Sequence, residues 1–247
     1  MIPKSHPRYE SLLLRDKMVK ASKKGYLADS AMIAHGRGEA FDYLIGERTT
    51  YPAKRAMYVA VAALLLSNNP VISVNGNATA LAVEEIIEFA NSVGAKIEIN
   101  LFYRTDDRVK IITQIYKDLG YDKILGTLDD DIEYLNDIKN NRASASKTGI
   151  YSADTILIPL EDGDRAEILK KSGKNIITID LNPLSRTSKM SDVSIMDNIV
   201  RAIPFMTKIA EDLKTQDKQV LMEIVNDFDN EENLKESLEQ IKLKEWI

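Results

Sequence analysis

Arginines, side-chain amides and carboxylates recur in this chain directly after short β-branched runs. Asn75 and Asn77 flank Gly76 after Val71-Ile72-Ser73-Val74, and Asn100 and Arg104 close the alternating run 96–103. Asp162 and Asp164 follow Thr155-Ile156-Leu157-Ile158-Pro159-Leu160; Asp180, Asn182 and Arg186 follow 175–179; Asp197 and Asn198 follow 193–196. Asn, Asp and Gly belong in turns anyway, so each singly reads first as a cap or turn residue. Together they would gather on one edge of a parallel sheet, where ligands bind. Arginines and amide donors suit a phosphorylated ligand, and carboxylates beside them suit Mg²⁺ or a ribose. Gly76 would let the backbone approach such a ligand, with Asn77 as an amide donor. Neither the Gly-x-Gly-x-x-Gly fingerprint nor the Gly-x-x-x-x-Gly-Lys-Ser/Thr phosphate loop is present at this turn.

The elements that must position these groups follow from periodicity. Residues 71–74, the Asn75-Gly76-Asn77 turn and an apolar stripe at Ala82, Ile86, Phe89, Ala90 and Val93 form a strand–turn–helix unit, closed by Gly94. Further strands are expected at 96–103, 123–125, 155–160, 175–179 and 193–196, with helices between them. Before the first strand, helices are expected at 8–24, 28–34, 39–45 and from Thr50 to about Leu66. Gly36 and Gly38 each cost about 1 kcal/mol in a helix interior. Gly36-Arg37-Gly38 is therefore expected to bend the chain and present Arg37 at a helix N-terminus, an anion site. Arg15, alone on the first helix, reads as a solvated residue. Residues 129–146 read as an exposed excursion, Pro204 as a strain on the helix from about Ile199, and 217–247 as two charged amphipathic helices.

The fold class expected is α/β. One principal domain is expected over residues 1–247, with a helical N-terminal portion (1–66), a parallel-sheet core (67–213) and a helical tail (214–247). There is no cysteine, so no disulfide and no thiolate chemistry, which fits a reducing cytoplasm. The two histidines, His6 and His35, are too few for a histidine-rich metal site. A net charge of −5 argues against general nucleic-acid binding. The apolar run 56–66 is too short to span a membrane, and the N-terminus lacks a signal-peptide core.

Six motifs in this sequence resemble those of the archaeal phosphopantothenate synthetases, or 4-phosphopantoate–β-alanine ligases. They are Pro3-Lys4-Ser5-His6-Pro7-Arg8-Tyr9, His35-Gly36-Arg37-Gly38-Glu39-Ala40-Phe41-Asp42-Tyr43-Leu44, Ser73-Val74-Asn75-Gly76-Asn77, Asn100-Leu101-Phe102-Tyr103-Arg104, Pro159-Leu160-Glu161-Asp162-Gly163-Asp164-Arg165 and Asp180-Leu181-Asn182-Pro183-Leu184-Ser185-Arg186. The similarity runs from Pro3 to about Thr207; residues 129–146 and the tail carry no such motif. The resemblance implies a Rossmann-like core, a homodimer, and a cytoplasmic step of coenzyme A biosynthesis. In that step 4-phosphopantoate, β-alanine and ATP, with Mg²⁺, give 4′-phosphopantothenate, AMP and diphosphate. It places nucleotide contacts on Arg15, Arg37, Asp180-Leu181-Asn182, Arg186-Thr187 and Asn198-Ile199. On that chemistry Arg37 and Arg186 are the catalytic arginines and Asp162 or Asp164 holds Mg²⁺. Gly76 and Asn77 hold the phosphate or carboxylate of phosphopantoate. A nucleotide-sensing regulatory domain is the non-enzymatic alternative, and a nicotinamide-dependent oxidoreductase is disfavoured by the missing fingerprint.

Overall fold

Three helices precede the first strand in the computed structural model, which describes residues 3–138 and 140–242. They are α1 (Tyr9–Lys23), α2 (Asp29–Ile45) and α3 (Tyr51–Leu66). Thr50 caps α3 by accepting the Ala53 amide, and Pro52 sits in the first turn, where its missing N–H is no loss. The chain then alternates: β1 (Pro70–Val74), α4 (Gly76–Val93), β2 (Lys96–Ile99), α5 (Asp106–Asp118), a hairpin of β3 (Ile132–Tyr134) and β4 (Ser144–Ser146), β5 (Thr155–Pro159), α6 (Gly163–Lys171), β6 (Asn175–Asp180), α7 (Arg186–Met190), β7 (Val193–Met196) and α8 (Ile199–Leu213). Two tail helices, α9 (Lys218–Asn226) and α10 (Asn230–Lys242), close the described chain. The last five residues of the expected tail, 243–247, lie outside the described residues.

β1, β2, β5, β6 and β7 form one parallel sheet in the order β2-β1-β5-β6-β7. Helices flank it, and the helical segments at either end stand where the sequence places them. Successive strand residues feed two cores, as a sheet buried on both faces requires. Ile72, Leu157 and Ile177 face α3, α4 and α8 in the larger core. Val71, Ile156, Ile158 and Ile176 face α6 and the β3–β4 hairpin in the smaller one. The apolar stretch of α3 is thereby buried within the chain, beneath α8, α9 and α10.

Three expectations are corrected. First, α2 runs unbroken from Asp29 to Ile45 through Gly36 and Gly38, so no bend occurs there. Second, residues 129–146 are not a solvated excursion. They fold into the hairpin that roofs the smaller core, with Leu135, Ala143 and Ala145 buried. Third, strand signals overreach at this edge: residues 123–125 supply only a single parallel bridge, Leu125 beside Glu98, and the strand expected at 96–103 ends at Ile99.

Glu98 pins this roof. Its buried carboxylate accepts the Ser146 amide at 2.9 Å and the Ile150 amide at 2.6 Å. Gly149 has no room for a side chain, because a Cβ there would collide with the Glu98 carboxylate. Burial pushes the Glu98 carboxyl up from 4.5 to about 7, against the pull of its two amides and Arg165. Below pH 4.5 the group is protonated in both states; between the two values only the folded state keeps the proton. Stability therefore falls as pH rises through that window, by about 3 kcal/mol, and levels off above it. Thermal melts from pH 5 to 7.5 should show this fall, and Glu98→Gln should make it shallower without abolishing it, because the Glu161 carboxyl is lifted by burial into the same range; parallel curves for the two proteins would refute the assignment.

Candidate active site

The sheet reverses its direction of growth between β1 and β5, the point at which doubly wound sheets open a crevice at their carboxyl ends. Asn75 braces that point. Its Oδ1 accepts the Ala78 amide at 3.0 Å, capping α4, while its Nδ2 donates to the Leu160 carbonyl at 2.9 Å. Leu160 holds a left-handed φ of 53°, a strained conformation for a branched residue, and it starts the loop that carries Glu161 and Asp162. A cleft of about 1100 Å³ lies here, walled by α1 and α2 on one side and by the β5, β6 and β7 loops on the other.

The cations of the cleft differ in their commitments. Arg37 is exposed and has no ion-pair or hydrogen-bond partner among the described residues. Arg186 donates to Asp164 at 2.7 Å and to Glu167 at 2.8 Å. Gly163 is what lets α6 lie this close, since a Cβ there would fall 2.5 Å from the Arg186 Cβ. Arg201 is locked between Asp42 and Asp197, and Thr49 donates to the far oxygen of Asp197 at 2.6 Å. Arg15 stands behind the wall, with Nε and Nη2 each 2.8 Å from the carboxylate of Glu39, which lines the cleft.

The remaining expected residues divide between wall and scaffold. Leu181 and Ile199 line the cleft with little exposed surface. Gly38 of α2 faces Leu181, whose Cδ1 would lie 3.4 Å from an added Cβ, an ordinary contact. Asp180 lines the cleft, but its carboxylate is turned into its own loop. Oδ1 accepts the Leu181 amide at 2.6 Å and the Asn182 amide at 3.1 Å, and Oδ2 accepts the Ser185 hydroxyl at 2.6 Å. Asn182 accepts the Leu184 amide at 2.9 Å, and Thr187 donates to the Glu161 carbonyl at 2.9 Å. Asn198 caps α8 by accepting the Val200 amide and donates to Asp42 at 2.8 Å. Asn77 faces the cleft, its amide held by the Ala31 carbonyl at 3.2 Å. Gly76 is buried, and the close approach it permits is to Tyr26, whose carbonyl would lie 2.9 Å from an added Cβ.

Among the described residues no three His, Asp or Glu side chains gather as a metal site. Asp162 is committed to the α6 cap, accepting the Asp164 and Arg165 amides. Asp162 lines the cleft, whereas Asp164 stands beside it, outside the lining, paired with Arg142 and Arg186; these two carboxylates are the oxygen donors nearest a cation that arrives on phosphates.

Two cleft residues outside the expected set have their titration shifted by burial. Glu161 is half-buried, and burial lifts its carboxyl to about 7 although Arg165 and Arg142 oppose the shift. His35 is half-buried with Nε2 unpartnered, and burial holds its pKa below the usual value.

Fold and cleft together define a doubly wound α/β protein with an arginine-bearing crevice at the carboxyl ends of its strands. The chain belongs to the phosphopantothenate/pantothenate synthetase family, whose sequence profile matches residues 52–244. It is 50% identical to a 4-phosphopantoate–β-alanine ligase from Thermococcus onnurineus, over 98% of this chain and 92% of that one. Similar ligases from Thermococcus kodakarensis and Methanosarcina mazei are each 49% identical over 98% of this chain, covering 92% and 94% of their own lengths.

Proposed function

We propose that the protein is a 4-phosphopantoate–β-alanine ligase of coenzyme A biosynthesis. The supporting observation is its half-identity to ligases of that name across 98% of its length, with five of the six motifs lining one cleft. The pantoate carboxylate attacks the α-phosphorus of ATP and diphosphate leaves. The amine of β-alanine then opens the acyl adenylate and releases AMP. Two anions must meet, so the arginines carry the chemistry. Arg37, unpaired before substrate arrives, meets the phosphates without first breaking an ion pair. Arg186 exchanges Asp164 and Glu167 for phosphoryl oxygens as charge builds there. Asp180 shapes the loop that gives Leu181 and Asn182 to the nucleoside, and Thr187, Asn198 and Ile199 complete that end. Arg15 acts through Glu39, and Asn77 takes the phosphopantoate beside Gly76.

Asp162, with Asp164 beside it, would hold Mg²⁺ arriving with ATP, which would supply positive charge to the phosphate chain. The enzyme works as a cytoplasmic homodimer, and the exposed Met32 and Ile33 of α2 are apolar surface that a second copy would cover. No helix among the described residues is long and apolar enough to cross a membrane.

Nucleotide chromatography after turnover tests the reaction. AMP and diphosphate should form in equal amounts, and only when 4-phosphopantoate and β-alanine are both present. ADP as the stoichiometric product would overturn the adenylate route, and indifference to both co-substrates would favour the sensing alternative.

A further inference from the structure

Lys17 has no place in the nucleotide set, yet it is the one lysine of the cleft anchored on main chain. It projects from α1, which packs on α4, and its Nζ donates to the Leu81 carbonyl at 2.9 Å. That carbonyl lies where α4 is interrupted: Ala82 leaves helical geometry at φ −148°, ψ 35°. A side chain entering the ladder at such a break is a recognised cause of the break. Among the described residues no carboxylate pairs with Lys17. One of its three ammonium hydrogens is used on Leu81, so two remain with an uncompensated charge in the cleft wall. Lys4 also lines the cleft but has no such anchor.

Position then decides which anion this charge meets. The loops assigned to the nucleotide follow β6 and β7. Lys17 sits over α4, which follows β1, and β5 lies between. The ends of β1 and β6 are about 10 Å apart, two strand spacings. Phosphopantoate carries its carboxylate at one end and its phosphate at the other. With the carboxylate at the ATP α-phosphorus beside the β5 and β6 loops, the other end reaches toward β1 and α4.

We infer that Lys17, fixed by the Leu81 carbonyl at the α4 break, receives the phosphate of 4-phosphopantoate and sets the preference for the phosphorylated acid over pantoate. The inference rests on the ligase reading above. The test compares wild type, Lys17→Met and Lys17→Arg with 4-phosphopantoate and with pantoate, measuring KM for each acid, KM for ATP, and the melting temperature. Lys17→Met should raise KM for 4-phosphopantoate by about 10- to 100-fold, the worth of a charge-assisted hydrogen bond, and erase the preference by the same factor. KM for ATP should stay within about twofold and Lys17→Arg should recover part of the loss, since charge is kept without the same geometry. A merely structural role would lower the melting temperature, disturb both substrates and leave the preference intact, which overturns the inference. So would an unchanged KM for 4-phosphopantoate in an active Lys17→Met. Wild type that makes no AMP from 4-phosphopantoate would overturn the ligase reading and the inference together.

Discussion

Arg37→Ala should lower kcat/KM by about 100- to 1000-fold while the melting temperature hardly moves. The activity loss is the range typical of removing one preorganised donor from a site where charge develops. The stability expectation follows from geometry: Arg37 is exposed on α2 and touches no charged partner among the described residues, so its truncation leaves nothing buried and unpaired. Alanine is also a better helix former than arginine, if slightly. Arg37→Lys should recover only part of the rate, because an ammonium cannot bridge two phosphoryl oxygens as a guanidinium does. Steady-state kinetics alongside a circular-dichroism melt decide the matter. Activity within threefold of wild type would return Arg37 to the solvated surface.

The second large effect is on stability. Asp42 is buried on α2, and its carboxylate accepts from the Asn198 amide at 2.8 Å and from Arg201 Nη1 at 3.2 Å and Nη2 at 2.5 Å. Asp42→Ala strands one side of that guanidinium and the Asn198 amide at once. Breaking a buried pair from one side costs about 3–5 kcal/mol, more than the pair itself contributes. For a chain this long the melting temperature should drop by roughly 6–20 °C. Activity should fall as well, because the same bonds hold α2 against the N-terminus of α8. Asp42→Asn keeps one acceptor and should lose less of both. A drop of under 2 °C in Asp42→Ala would show that Arg201 finds its full complement in Asp197.

Much of the fold was legible because it rests on local signals. β-branched runs ended by Asn, Asp or Gly mark all five strands of the parallel sheet, and Thr50, Asn75, Thr105 and Asn198 cap the helices they precede. What was misread depends on distant partners. Gly36 and Gly38 argue for a break by propensity, yet α2 continues, with Gly38 facing Leu181, some 140 positions away. The polar stretch 129–146 looks solvated, but its Ala143-Ser144-Ala145-Ser146 alternation has a buried edge that only Glu98 and the smaller core reveal. Site residues were visible as types rather than as roles. Asp180 and Asp162 are rightly in the cleft wall, but a sequence does not say that their oxygens are taken by loop amides. Lys17 lay hidden because nothing near it in the chain foretells an interruption in α4.

The continuity of α2 has a further consequence. A helix of 17 residues that buries only Asp42 and Ile45, and carries two glycines in its middle, has little holding it shut. The glycines alone remove about 2 kcal/mol of helical preference. Its firm attachments, Asp42 and the Gly46 left-handed cap, lie toward the C-terminal end, so the turns bearing His35 and Arg37 form the least protected stretch of the cleft wall. These turns are expected to open locally at lower free energy than the sheet beneath them, which faster amide hydrogen exchange at 35–38 than in β1 or β5 would show. A ligand bridging Arg37 to the β6 loop, as proposed above, would close that opening, so part of its binding energy would go into ordering the helix that grips it.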